Sequence, residues 1–235
     1  MPNIITRNIP NGITSCNLFC GCIASYMAFQ GDFRMAMLFI VLGAVFDFFD
    51  GMSARLLNVS SPIGKELDSL ADNITFGLAP SAVVFSLFME IDIPEFMSGV
   101  SALLPYSAFI ISVFSALRLA KFNLDERQTT SFIGMPTPAN ALFWSSLAIC
   151  ISEGEYLQWF NALYLLLLVF VMSFLLVSEL PMFSLKFKEL SWKTNKIKYI
   201  FLIVSISLLV LYGVNGLSAV ILWYILLSVF LYKKI

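Results

Sequence analysis

Long apolar runs recur along the whole chain, separated by short polar stretches. Each is of the length a helix needs to cross a bilayer core, roughly 20 residues. The pattern predicts eight apolar helices, at 13–30, 34–57, 64–89, 98–120, 136–152, 157–178, 197–213 and 217–232. Backbone groups in lipid must be paired within their own segment, so an all-α polytopic bundle follows, a single membrane-embedded domain over 1–235. The opening stretch, MPNIITRNIPNGIT, carries two prolines and reads as a short interfacial segment. The polar connection 179–196, ELPMFSLKFKELSWKTNK, interleaves Leu, Phe and Trp with lysines and predicts a strip lying on the membrane surface.

Composition supports this class. Of 235 residues 59% are hydrophobic and 12% charged, against about 25% charged in a soluble domain. Mean hydropathy is +0.87. Cys16, Cys20, Cys22 and Cys150 sit inside apolar runs as small hydrophobes, and the absence of histidine argues against a zinc site. The N-terminus lacks the pattern of a cleaved signal peptide. No nucleic-acid partner is expected.

Charge orients the chain. With a cytosolic N-terminus and an even number of spans, every one of the 14 basic residues except Arg34 falls on the cytosolic side. The opposite loops then hold Glu90, Asp92, Glu95, Glu153 and Glu155 with no base to match them. Both termini are expected in the cytosol, in what would be a bacterial inner membrane.

Against this background Asp47, Asp50, Asp68 and Asp72 stand out, because carboxylates in or beside apolar helices are costly and usually functional. Asp47, Asp50 and Ala54 share one helix face, with Gly51 beside them; Gly64, Asp68 and Asp72 share another. A short loop, 58–63, would bring the two faces together, and Gly51, Ala54 and Gly64 would permit close approach of backbone or ligand. Four clustered carboxylates call for cations. Hard oxygen ligands favour Mg2+ or Mn2+, and such ions suit phosphate substrates. Arg55, at the same end, offers a further phosphate contact.

The pattern Asp47-x2-Asp50-Gly51-x2-Ala54-Arg55-x8-Gly64-x3-Asp68-x3-Asp72 resembles the signature of the CDP-alcohol phosphatidyltransferases, with each motif position filled over 47–72. That family moves a phosphatidyl group from a CDP-linked lipid to an alcohol and releases CMP. The resemblance implies a two-metal site on Asp47, Asp50 and Asp68 with Asp72 adjoining, and Asp72 as general base. It implies Gly51, Ala54, Arg55 and Gly64 around the CDP-lipid, and a homodimer.

A second layer of resemblance concerns the acceptor. ITRNIPNGITSCNLFCGCIAS is similar to the opening of the bacterial phosphatidylserine synthases of this family, as is Phe132-x-Gly134-x-Pro136-x-Pro138-Ala139. Ser115-Ala116-Leu117-Arg118-Leu119-Ala120-Lys121-Phe122-Asn123 is similar to a third stretch of that subfamily, with Lys121 where an arginine is usual. These imply CDP-diacylglycerol as donor and L-serine as acceptor, with Arg118, Lys121 and Asn123 as candidate acceptor contacts. Glycerol-3-phosphate or inositol phosphate stay open as acceptors, and a cation or proton transporter is the reading from another class.

Overall fold

The computed structural model describes residues 4–59, 61–125, 132–154, 160–182 and 191–231. Nine α-helices run through the described residues: α1 Ile4–Phe29, α2 Phe33–Leu57, α3 Pro62–Asn73, α4 Ala79–Glu90, α5 Ile110–Leu124, α6 Thr137–Glu153, α7 Ala162–Val177, α8 Trp192–Tyr212 and α9 Gly216–Leu231. Five helical stretches are long and apolar enough to cross a membrane: Asn8–Phe29, Phe33–Leu57, Pro62–Glu90, Leu104–Leu124 and Asn195–Phe230. The last is not one rod. Gly213, with φ 58° and ψ −137°, breaks it, and α8 and α9 fold back against each other. The Ser146 hydroxyl of α6 donates to the carbonyls of Val214 and Asn215 and pins that turn.

Several expectations are corrected. The N-terminal stretch is not a separate interfacial piece: α1 starts at Ile4 and continues through Pro10. Residues 98–109 are not the start of an α-helix. They form two 3-10 pieces, Glu95–Val100 and Leu104–Phe109, and α-helix begins only at Ile110. Pro105 has no N–H to donate, which disfavours a regular helical ladder there. The bundle also carries a two-residue antiparallel pairing that an all-α reading omits, Phe132 opposite Met182 and Ile133 opposite Pro181. Of the proposed surface strip, 183–190 lie outside the described residues, and its end, from Trp192, is already α8.

Capping explains how α2 hands over to α3. Asp32 accepts from Met35 N at 3.0 Å to start α2, and Asn58 ends it in the left-handed region with φ 51°. Ser61 then accepts from Gly64 N at 3.0 Å, with Pro62 in the first turn of α3. Between α3 and α4 the helix widens into a π-turn over Ile74–Leu78. Pro80 explains the widening. Its ring would clash with the carbonyl four residues back, and one extra residue in the turn relieves that.

The core is built mainly from α4, α6 and α7, where Phe88, Phe143, Trp144, Leu165 and Met172 are essentially buried. Outward positions such as Phe19, Phe48, Phe174 and Val210 are exposed apolar side chains, as lipid-facing residues should be. At the end of the bundle away from the aspartates, the Arg34 guanidinium forms a bidentate pair with the Glu153 carboxylate. Arg34 therefore answers one of the acids expected to stand without a base. All four cysteines are free.

Candidate active site

The antiparallel packing of α1, α2 and α3 puts the signature at one end of the bundle. On α2 the spacing of three turns Asp47 and Asp50 inward while Phe48 and Phe49 point out, 62% and 44% exposed. Asp50 is buried at 6% exposure. On α3, Asp68 and Asp72 lie one turn apart and half-buried. One carboxylate oxygen from each of Asp47, Asp50 and Asp68 falls within 4.8 Å of the others. Asp72 joins through a side-chain contact with Asp47, which also touches Asp68.

No described Lys or Arg forms an ion pair with any of the four. Among the described residues, the neutral side-chain donors that reach them come from α1. The Thr14 hydroxyl donates to Asp50 Oδ2 at 2.6 Å, and Asn17 Nδ2 donates to Asp72 Oδ1 at 3.1 Å. Carboxylates this close repel one another unless a cation or a proton intervenes. Three hard oxygens converging within one ion's reach fit Mg2+ or Mn2+ as ligands.

A cleft of about 280 Å³ opens beside Asp50 and Asp68. Gly51, Ala54 and Gly64 line it, together with Pro10, Asn11, Thr14, Val59, Ser61 and Lys65. At Gly51 an added Cβ would meet only an Arg55 nitrogen at 3.5 Å, so any side chain there would project into the cleft. At Gly64 the Cβ would come 2.8 Å from Asn11 Oδ1, so this glycine serves close packing of α1 on α3. Arg55 itself is exposed and does not line the cleft wall.

The acceptor candidates divide. Arg118, 8% exposed, and Lys121 line a second cleft of about 360 Å³ with Asp125, Ser178 and Glu179. Lys121 Nζ donates to the Val177 carbonyl at 3.3 Å, and the Arg118 guanidinium lies over the Phe122 ring, 5.1 Å from its centroid. Asn123 lines neither cleft. It donates to Ser69 Oγ at 2.7 Å and accepts from Lys65 Nζ at 3.3 Å through its carbonyl, clamping α5 to α3.

Sequence reasoning missed the contribution of α1. Asn11, Thr14 and Asn17 are polar residues at intervals of three in an apolar helix, which places them on one face. That spacing was the available signal.

A family model described as CDP-alcohol phosphatidyltransferase matches residues 7–170, spanning α1, the signature helices and most of α7. The chain belongs to the CDP-alcohol phosphatidyltransferase family. Among curated relatives, the Bacillus subtilis (strain 168) protein named CDP-diacylglycerol–serine O-phosphatidyltransferase is 42% identical over 130 residues, 55% of this chain and 69% of that protein. The Helicobacter pylori (strain ATCC 700392 / 26695) protein of the same name is 31% identical over 211 residues, 89% of this chain and 84% of its own. A Saccharomyces cerevisiae protein of that name shares 35% over 133 residues, 52% of this chain and 44% of that protein. In this CDP-alcohol phosphatidyltransferase one cleft lies beside the carboxylates, and the other, lined by Arg118 and Lys121 with Asp125 and Glu179, carries mixed charge.

Proposed function

We propose that the chain transfers the phosphatidyl group of CDP-diacylglycerol to the hydroxyl of L-serine, giving phosphatidylserine and CMP. The observation that carries this is the convergence of Asp47, Asp50 and Asp68 on one point beside a cleft kept open by Gly51 and Ala54. The names of the relatives support serine as acceptor. So does the second cleft. Arg118 and Lys121 match a carboxylate, while Asp125 and Glu179 match an ammonium group, a mixture suited to an amino acid rather than to a phosphorylated alcohol.

Asp47, Asp50 and Asp68, with Asp72 adjoining, would hold a pair of Mg2+ or Mn2+ ions, which when bound neutralise the diphosphate and the departing CMP. The protein's own residues do the rest. Gly51 and Ala54 leave room for the nucleotide end, Gly64 lets α1 close against α3 at its wall, and Lys65 and Asn11 present polar groups to it. Arg55 adds positive charge at the mouth. Arg118 and Lys121 hold the serine carboxylate, and Asp72 takes the proton of the serine hydroxyl. The serine oxygen bonds to the lipid-side phosphorus, and the phosphorus–oxygen bond to CMP breaks, its electron pair leaving on CMP. Asp72 is a weak base for an alcohol, so proton removal must accompany bond formation rather than precede it.

Eight membrane passes fit the described helices if Pro62–Glu90 counts as one, Leu104–Leu124 as one, and α6, α7, α8 and α9 as one each. Both termini and both clefts then face the cytosol, consistent with the basic residues on that side, in a bacterial inner membrane. A homodimer is part of this reading. The test is CMP release from purified protein with CDP-diacylglycerol and Mn2+, comparing L-serine, glycerol-3-phosphate and inositol phosphate. Stimulation by serine alone, with a phosphatidylserine product, is expected. Stimulation by another alcohol alone would discard the acceptor assignment, and no release with any of them would discard the transferase.

A further inference from the structure

We propose that Asn17 is a positioning residue for Asp72, its side-chain amide fixing the rotation of the carboxyl group and so the direction from which the other oxygen meets the acceptor hydroxyl. The inference rests on Asp72 as the proton-accepting group. Asn17 lies midway along α1 and is 0% exposed. A primary amide in such a place is costly unless its donors and acceptor are used. Its Nδ2 is used, on Asp72 Oδ1 at 3.1 Å. Its Oδ1 is buried and makes no hydrogen bond. Turning the amide over would set that oxygen against the carboxylate, acceptor facing acceptor. The side chain thus faces Asp72 in the one sense an anion accepts, and leaves its own oxygen unpaired to do so.

The surroundings hold it there. Thr75, in the π-turn, donates its hydroxyl to the Asn17 backbone carbonyl at 3.1 Å. Gly43 on α2 leaves the space both side chains occupy. A Cβ at Gly43 would lie 2.5 Å from Thr75 Cγ2 and 2.9 Å from Asn17 Oδ1. Gly21 on α1 does the same for Thr75, whose Oγ1 would be 2.4 Å from an added Cβ. Three elements, α1, α2 and the π-turn, therefore build one closely packed socket from which the Asn17 amide donates to Asp72. Residues that orient a metal-site carboxylate in this way commonly change activity by about 10- to 100-fold when removed.

The experiment uses the purified protein and Asn17→Leu, which keeps the side chain's size and removes the donor without adding a carboxylate to the cluster. With CDP-diacylglycerol, L-serine and Mn2+, kcat for CMP release should fall about 10- to 100-fold while KM for CDP-diacylglycerol changes by less than about twofold. A residue that merely fills space would leave kcat untouched, and undiminished turnover in this variant overturns the inference. An equal loss through KM overturns it too, since that assigns Asn17 to lipid binding. Should Asn17→Leu fold poorly, Asn17→Asp, which sets two carboxyls face to face, is compared with Asn17→Asp combined with Asp72→Asn, which restores an amide–carboxylate contact with the partners reversed. The Tm of the double variant should then exceed that of Asn17→Asp alone, with no turnover because Asp72 has been replaced; a Tm that does not rise overturns the contact. An unmutated protein that releases no CMP with any alcohol overturns the reading of the site and this inference with it. Activity with an alcohol other than serine leaves the Asn17 comparison intact, run with that alcohol.

Discussion

Each aspartate of the cluster is distinguished by its neighbours. Asp50 is held by the Thr14 hydroxyl and Asp72 by the Asn17 amide, whereas Asp47 and Asp68 face chiefly other carboxylates. Asp50→Asn or Asp68→Asn should therefore remove a ligand charge while leaving the α1–α2–α3 packing in place. CMP release is expected to drop below detection with an unchanged gel-filtration profile, and near-normal turnover in either variant would contradict the assignment. Gly51 and Gly43 make a contrasting pair. Gly51→Val fills open cleft and should raise KM for the CDP-lipid with little change in Tm. Gly43→Ala instead collides with Thr75 and Asn17, and overpacking of that kind costs about 1–3 kcal/mol, visible as a lower Tm. Asp47, Asp50, Ala54, Gly64, Asp68 and Asp72 were legible because their spacing puts them on two helix faces, whereas Gly51 and Arg55 entered the signature through the family resemblance. Gly43 was not legible, since nothing local marks which glycine a distant side chain will press against.

Elements matter through the way they are joined. The periodicity of the apolar runs located α2 closely, as 34–57 against an observed Phe33–Leu57, because a long run with clear caps at Asp32 and Asn58 leaves little choice. It failed over 98–109, where residues are apolar enough for a helix but Pro105 disfavours a regular ladder, and over 74–78, where the effect of Pro80 is felt upstream as a π-turn. Asn123 shows the same limit. Its place in the stretch 115–123, which resembles a segment of the phosphatidylserine synthases, implied a ligand contact, yet its side chain bonds α3. Asn123→Ala should remove a hydrogen bond worth about 1 kcal/mol and loosen α5 from α3, with a modest fall in kcat rather than in serine affinity. A selective rise in serine KM would return Asn123 to the acceptor site.

For the whole molecule, the candidate site and the Arg34–Glu153 ion pair are separated along the bundle. Both clefts lie at one end, and the Arg34–Glu153 pair, on exposed side chains, at the other. Exposed pairs contribute little to stability. Arg34→Ala is accordingly expected to leave CMP release and Tm close to those of the unmutated protein, measured side by side in detergent. Chelation should act on the opposite end alone. EDTA is expected to stop turnover and added Mn2+ or Mg2+ to restore it; full activity in chelator would remove the metal from the mechanism.

The membrane class, the places of most helices and the four aspartates were determined by the sequence itself, because hydrophobic length and helical spacing are local properties that any packing must respect. The tertiary structure decided the rest: that α1 supplies Thr14 and Asn17 to the aspartates, that Arg118 and Lys121 line a cleft while Asn123 ties two helices together, and that Phe132 and Ile133 pair with residues of a distant loop. Those facts depend on which helix faces meet. In an apolar bundle nearly every face is greasy enough to meet another, so only close packing, residue against residue, selects among them.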